Sequence, residues 1–188
     1  MSELADLILE DAKDRMEKAV AHSRAEFSSI RSGRAAPQLV EKLLVQAYGV
    51  EMRLQEMASV AVPEARQLTI TPHDPANIDA VERAIRLSDL GLSPSSDGRS
   101  LRLNFPPLTE ERRKELVKVV KKMAEEGRVS IRNIRREARK ELESAEKESQ
   151  LTADELTRAE KDLDRMTQAS EATVDGALAT KENELLEV

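Results

Sequence analysis

The sequence predicts an α+β protein in which a long three-helix bundle carries a small inserted β/α/β domain. All seven prolines lie between Pro37 and Pro107. Because proline disrupts helix interiors, long helices are expected on both sides of this segment and not within it. The 39% hydrophobic and 35% charged content also favours long two-sided helices over a thick globular core. The predicted domains are a discontinuous bundle, 1–30 with 105–188, and an insert, 31–104.

The first flank is predicted to form one helix of roughly 28 residues that ends near Ser32-Gly33. Small and apolar residues recur along it at spacings of three and four, which places them on one narrow stripe of the helix. These residues are Ala5, Ile8, Ala12, Met16, Ala19, Ser23, Phe27 and Ile30. The stripe is expected to be the face that packs in the bundle.

The second flank is predicted to contain two more long helices, which pack with the first as a bundle. One follows Pro106-Pro107, with Thr109 in the position of an N-cap. Its stripe consists of Leu116, Val120, Met123, Gly127, Ile131, Ile134, Ala138, Leu142 and Ala145. The other begins at a capping box formed by Thr152 and Glu155. Its stripe consists of Leu156, Leu163, Met166, Ser170, Val174, Ala177 and Leu185.

The proline-containing middle of the chain reads as a small β/α/β unit. Its β-type runs are Lys42–Ala47, Ala58–Val62, Gln67–Thr71 and Ser100–Asn104. Between them, Asp74 is placed to cap a helix with Pro75 at its first position, and Ile78, Val81 and Ile85 form the apolar face of that helix. Two crossings without regular structure join this unit to the bundle, and such a pair can act as a hinge. The predicted hinge residues are Arg31, Ser32, Gly33, Phe105, Pro106 and Pro107.

Residues suited to catalysis or metal binding are scarce. The chain has no cysteine, which excludes disulfides, thiolate zinc sites and cysteine nucleophiles. His22 and His73 lack metal-ligand spacing, and the six glycines form neither a dinucleotide-binding motif nor a P-loop. The sequence therefore predicts a protein that is not an enzyme, with no catalytic residue, no metal site and no cofactor.

The sequence also predicts a soluble, cytoplasmic protein. The segment MSELADLILEDAK has acids where a signal peptide needs basic residues. No apolar run approaches the roughly 20 residues of a membrane span. We expect a monomer with no membrane partner.

Positive charge is concentrated on the second long helix. Twelve of the thirty Lys and Arg residues lie between Glu110 and Lys140 together with only six acids, so this stretch carries +6 while the rest of the chain carries −12. Within it, four arginines follow an i, i+4, i+7, i+11 pattern that confines them to roughly a 60° arc of the helix. They are Arg128, Arg132, Arg135 and Arg139. A line of guanidinium groups suits a phosphate backbone.

The alternative interpretation of this line is a solvated helix face stabilised by ion pairs with glutamates one turn away. Arg128, Arg132 and Arg135 have no acid four residues to either side, which favours a binding face. With only three aromatic residues in the chain, stacking of bases is disfavoured. A bound nucleic acid would be held by its backbone and shape.

Seven segments resemble the bacterial ribosome recycling factor family. They are IRSGRA at 30–35, AYG at 47–49, ASVAV at 58–62, SDLGLSP at 88–94, PPLTEERRKEL at 106–116, SIRNIRREARK at 130–140 and KENELLEV at 181–188. Each is weak alone, but together they follow the family order and span the chain. One departure lies at Val50–Arg53, where the family usually has a proline-containing turn.

The resemblance implies a three-helix bundle and a hinged β/α/β domain in an L shape comparable to tRNA. It implies a factor that binds the post-termination ribosome and acts with elongation factor G, whose GTP hydrolysis splits the ribosome into subunits and releases the mRNA. Arg132 and Arg135 match the family's contacts with large-subunit rRNA, and Arg128 matches a further basic position. Arg139 completes the predicted rRNA-binding set.

Two other functions are compatible with the arginine line by itself. One is a helical scaffold whose arginines meet an acidic protein; an RNA-backbone-binding protein of another kind is the variant of the RNA-binding interpretation itself. The other is a nucleoid-type DNA-binding protein. The net charge of −6 and the lack of a recognition-helix motif argue against the second.

Overall fold

The structure, a computed structural model, describes residues 3–187. They form two compact units. The helical unit contains the residues up to Arg31 together with Glu110–Glu187, and the insert unit is Ser32–Thr109. The sequence-based boundaries lay at 30/31 and 104/105. The second boundary lies later in the structure, after Thr109. Phe105 still belongs to the insert because its N–H donates to the carbonyl of Arg66, at 2.9 Å. Residues 1, 2 and 188 of the predicted bundle lie outside the described residues.

Three long helices flank a series of short strands and helices. In chain order, the elements are α1 (Glu3–Ser29), α2 (Gln38–Glu41), β1 (Leu44–Ala47), β2 (Val50–Arg53), α3 (Leu54–Met57), β3 (Ala58–Glu64), β4 (Gln67–Pro72), a 3₁₀ turn (Pro75–Asn77), α4 (Ile78–Leu87), β5 (Ser95–Ser96), β6 (Leu101–Asn104), α5 (Glu110–Lys147) and α6 (Ala153–Leu186). The three long helices α1, α5 and α6 pack on one another, which confirms the predicted bundle.

The predicted stripes are largely the buried faces of the bundle. On α5, eight of the nine predicted residues are buried, and Ala124 is buried in place of Met123. On α1, Leu9 and Val20 are buried, whereas the predicted Ile8 and Ala19 are half-buried. Each helix packs on two neighbours, so its buried stripe is wide. Which of two consecutive residues lies deeper depends on the partner helices.

The third stripe was predicted less well. The buried residues of α6 are Ala159, Leu163, Thr167, Val174 and Leu185. The capping box at the start of α6 is confirmed. The Glu155 N–H donates to the Thr152 hydroxyl at 3.3 Å, and the Thr152 N–H donates to the Glu155 carboxylate at 3.1 Å. The Thr152 hydroxyl also donates to this carboxylate at 3.1 Å, and the two bonds from Thr152 to the carboxylate hold the pKa of Glu155 below its ordinary value.

The helices of the bundle approach one another closely at Gly127 of α5. A Cβ at this position would overlap the Ser23 hydroxyl of α1 and would lie 3.8 Å from a Val174 methyl of α6. Ser23 is 1% exposed, and its hydroxyl has no hydrogen-bond partner within the described residues. Only glycine leaves enough room for the three helices to meet at this point.

We expect Gly127→Ala to destabilise the protein relative to Gly176→Ala. Both substitutions gain the same helix propensity, but a Cβ at Gly176 meets nothing within 4 Å. The difference in unfolding free energy should be about 1–3 kcal/mol, the usual cost of overpacking, and denaturant titration would measure it. Ser23→Ala should remove most of the difference, because it deletes the clashing oxygen. Equal stabilisation by both alanines would contradict the close approach.

The insert unit contains a four-stranded antiparallel sheet in the order β3-β4-β6-β5. Leu68 pairs with Leu103 and Ile70 pairs with Leu101, and all four side chains are buried. The helix α4 covers this core with its buried Val81 and Ile85, and the predicted Ile78 is also buried. As predicted, the Asp74 side chain caps the start of this region by accepting from the Ala76 N–H at 2.9 Å. The insert therefore has its own hydrophobic core.

The segment that departs from the family pattern forms a strand. Val50–Arg53 pairs with Leu44–Ala47 as a hairpin whose two-residue turn is Tyr48-Gly49. Both turn residues have positive φ, 54° and 76°, as a type I′ turn requires. The Tyr48 hydroxyl donates to Asp74 and accepts from the Asn77 amide. This bond from Tyr48 lowers the pKa of Asp74 and fastens the turn to the cap of the following helix.

Candidate RNA-binding face

The four predicted arginines lie on the side of α5 that borders α6. Their side chains are partly exposed, from 21% at Arg128 to 51% at Arg139. The predicted arc is confirmed in this respect, since all four reach carboxylates of the same neighbouring helix. Residues spaced by three and four on one helix necessarily share a face.

Although Arg128, Arg132 and Arg135 have no acid four residues away on α5, all four arginines form ion pairs. Across the bundle, the pairs are Arg128–Asp175, Arg132–Glu171 at 2.8 Å, Arg135–Asp164 at 2.8 Å and Arg139–Glu160 at 3.0 Å. We call these four pairs the α5–α6 ladder. On α5 itself, Glu125 pairs with Arg128 and Arg132, and Glu143 pairs with Arg139. Except for Glu143, these partners lie on α6 or three or seven residues away on α5, so the four-residue spacing on one helix does not reveal them.

The ladder follows the antiparallel register of the two helices. Between Arg128 and Arg132 the chain advances four residues on α5, while the partner moves back four residues, from Asp175 to Glu171. The same step recurs at Arg135 and Arg139, whose partners are Asp164 and Glu160. The pair Lys121–Glu182, at 3.6 Å, continues the row toward the start of α5.

The ion pairs shift the pKa values of Arg128, Arg139 and Glu125 in the direction that favours their charged forms. Burial lowers the pKa of Arg128, but its bonds to Glu125 and Asp175 outweigh this and raise it overall. The bond to Glu143 and the charge of Glu160 raise the pKa of Arg139. The bond from Arg128 lowers the pKa of Glu125. Exposed ion pairs typically contribute only about 0–1 kcal/mol each, so the ladder orients guanidinium groups more than it stabilises the fold.

The guanidinium groups retain unused donors. Each has five N–H donors in a planar fork. Arg135 and Arg139 use only Nε in their bonds to residues of the described chain, and Arg128 and Arg132 use Nε and one terminal nitrogen. At Arg135 and Arg139, the end of the fork is therefore open for a bidentate contact with another anion.

Two further exposed basic residues lie beside this face and were not predicted from the sequence. Arg136 and Lys140 follow Arg135 and Arg139 and so lie about 100° further round the helix. Both are exposed, and in the described part of the chain neither forms an ion pair. Their signal was already present in the +6 charge of the segment. They were missed because the prediction selected arginines by their i, i+4, i+7, i+11 spacing, and positions 136 and 140 do not follow it.

The two predicted hinge segments meet within the insert unit. A Cβ at Gly33 would lie 3.3 Å from the Leu108 side chain and 3.7 Å from the Pro106 carbonyl. Ser32 is 9% exposed, and Phe105 packs against the insert core. Arg31 belongs to the helical unit and is exposed. Their role as a hinge remains a prediction.

The described residues include neither a metal-binding cluster nor a membrane-spanning helix. Within 3–187, no group of three or more acids and histidines is arranged to hold a metal ion. None of the helices in this range combines the length and the apolar character that crossing a bilayer requires.

Comparisons with known proteins agree with the resemblance. The family model described as "Ribosome recycling factor" matches residues 23–186. A "Ribosome-recycling factor" of Rubrobacter xylanophilus is 48% identical over 188 residues, all of both chains. A solved structure described as "Solution structure of the ribosome recycling factor" is 36% identical, with a TM-score of 0.79 over the whole of both chains. Another, described as "Models for the T. thermophilus ribosome recycling factor and the E. coli elongation factor G bound to the E. coli post-termination complex", is 41% identical, with a TM-score of 0.65 over 99% of this chain and all of that one.

Proposed function

The chain belongs to the ribosome recycling factor family, and we propose that it binds the post-termination ribosome in the cytoplasm. There it acts with elongation factor G to separate the subunits and release the mRNA. The supporting comparison is the similar chain described together with elongation factor G and a post-termination complex. The role is non-enzymatic, because GTP hydrolysis belongs to the partner.

The observation that carries this proposal is the open end of the arginine forks on α5. Arg135 and Arg139 bond through Nε and leave their terminal nitrogens unused in the described chain, and the exposed Arg136 and Lys140 add charge beside them. Phosphate groups of large-subunit rRNA are the anions that this spacing fits. Contacts of this kind position a protein on RNA without reading its bases.

The scaffold alternative receives no comparable support. It required an acidic protein to meet the arginines, but the acids that meet them belong to α6 and to α5 itself. The proposed mechanism instead anchors the helical unit to rRNA. The insert then moves about Arg31–Gly33 and Phe105–Pro107 when elongation factor G acts on it.

A splitting assay tests this function directly. Stalled post-termination ribosomes are mixed with the protein, elongation factor G and GTP, and light scattering follows the release of subunits. We expect splitting only when all three are present, since the chain supplies the anchor and the partner supplies the hydrolysis. Splitting that is unchanged when this protein is omitted would refute the proposal.

A further inference from the structure

We propose that the α6 carboxylates of the ladder determine the specificity of the arginine face by competing with phosphate. These carboxylates are Glu160, Asp164, Glu171 and Asp175. The inference rests on the proposed RNA-binding function and assigns to α6 a role in that same site. It concerns which polyanions the face accepts.

The geometry restricts how a phosphate can approach. A carboxylate occupies Nε of Arg132, Arg135 and Arg139, at 2.8–3.0 Å. The bidentate edge formed by Nε and a terminal nitrogen is therefore blocked, and an anion must either displace the carboxylate or bind the open end of the fork. Only a phosphate that arrives at the right distance and angle can use that end.

The acids of the ladder reduce the general attraction of the arginines for polyanions. Four arginines face the four ladder acids together with Glu125 and Glu143, so six negative charges surround four positive ones. Non-specific binding of nucleic acid depends on net neutralisation of phosphates. A flexible or mismatched RNA gains little at this face, whereas a rigid RNA surface with matching phosphates can still bind.

The carboxylates also fix the rotamers of the arginines. An arginine side chain carries about 2 kcal/mol of rotamer entropy, and part of it is already lost in the folded protein when Nε is bonded. Binding to a matched surface is then less opposed by entropy. Neutralising the carboxylates should free the arginines, strengthen binding to polyanions whose phosphates do not match the face, and leave binding to the large subunit nearly unchanged or weaker.

The test compares two variants with the same change of charge. Asp164→Asn/Glu171→Gln removes two rungs of the ladder. Glu10→Gln/Asp14→Asn on α1 removes two exposed acids that form no ion pair within the described residues. Binding of each full-length variant to a poly(A)·poly(U) duplex and to isolated large subunits is titrated against salt, and circular dichroism checks the fold.

We expect the ladder variant to bind the duplex about tenfold more tightly than the parent, with a log-affinity slope against log salt steeper by about 1.8, as two additional phosphate contacts require. Its affinity for large subunits should change less than about threefold, and the α1 variant should resemble the parent in both titrations. Glu160→Gln is a milder second variant, because Arg139 keeps Glu143. It should shift duplex binding in the same direction.

Two results would overturn the inference. One is an equal gain in duplex affinity for the ladder and α1 variants, which would show that only net charge matters. The other is an equal gain for duplex and large subunit, which would show no effect on specificity. Arg132→Ala, titrated in parallel, identifies which idea fails. If it loses subunit affinity while the ladder variant behaves like the α1 variant, the inference fails and the proposed function stands. If it keeps full affinity, both fail.

Discussion

A chain in which a flexible Gly/Ser linker replaces residues 32–109 is expected to fold cooperatively and to bind large subunits without splitting ribosomes. The helical unit buries residues from α1, α5 and α6 against one another, and the insert has a separate core built from its own strands and α4. Loop-closure entropy grows slowly with linker length and is small beside the burial of three long helical faces.

The shortened chain keeps the entire arginine face but lacks the insert unit, which elongation factor G is proposed to move. In excess it should compete with the intact protein and inhibit splitting. Circular dichroism melting measures cooperative folding, subunit pelleting measures binding, and the splitting assay measures the inhibition. The same deletion carrying Arg132→Ala/Arg135→Ala serves as a control that should not compete. A non-cooperative melt would show that the insert belongs to the same core. Normal splitting would show that movement of the insert is not the mechanism.

The sequence predicted the helical unit well because its signals are local. Proline placement excluded long helices from the middle, and a period of three to four residues located most of the buried face of α5. The capping box at Thr152 specified the start of α6 within one residue. The hairpin at Tyr48-Gly49 was missed because Tyr48 adopts a positive φ, which is uncommon for a large side chain.

The charged face was predicted only in part, for a different reason. The spacing of the arginines on α5 is a property of one helix, and it was correct. Their partners Asp164, Glu171 and Asp175 lie 29 to 47 residues away in sequence. Finding them requires the register of two antiparallel helices, which depends on how the stripes of α5 and α6 interlock. The bond between Arg128 and Glu125, three residues apart, could have been read from the sequence.

Arg132→Ala/Arg135→Ala is expected to weaken binding to large subunits by about a hundredfold or more, because charge-assisted hydrogen bonds contribute on the order of 1.5–3 kcal/mol each and two of them are lost. The log-affinity slope against log salt should become shallower by about 1.4 to 1.8, the value for two lost phosphate contacts. Loss of the arginines also leaves Glu171 and Asp164 unpaired beside the RNA, so repulsion adds to the lost attraction.

The same double variant should leave the fold nearly intact, and this separates binding from structure. The ion pairs of Arg132 and Arg135 are solvent-accessible, with side chains 45% and 38% exposed, so their removal should change the unfolding free energy by no more than about 1 kcal/mol each. A matched control, Arg158→Ala/Arg165→Ala, removes two exposed arginines from α6 and should affect neither quantity strongly. If instead the Arg132/Arg135 variant loses several kcal/mol in denaturant titration while its subunit affinity follows only the folded fraction, the ladder holds the helices together and the RNA-binding assignment of this face is wrong.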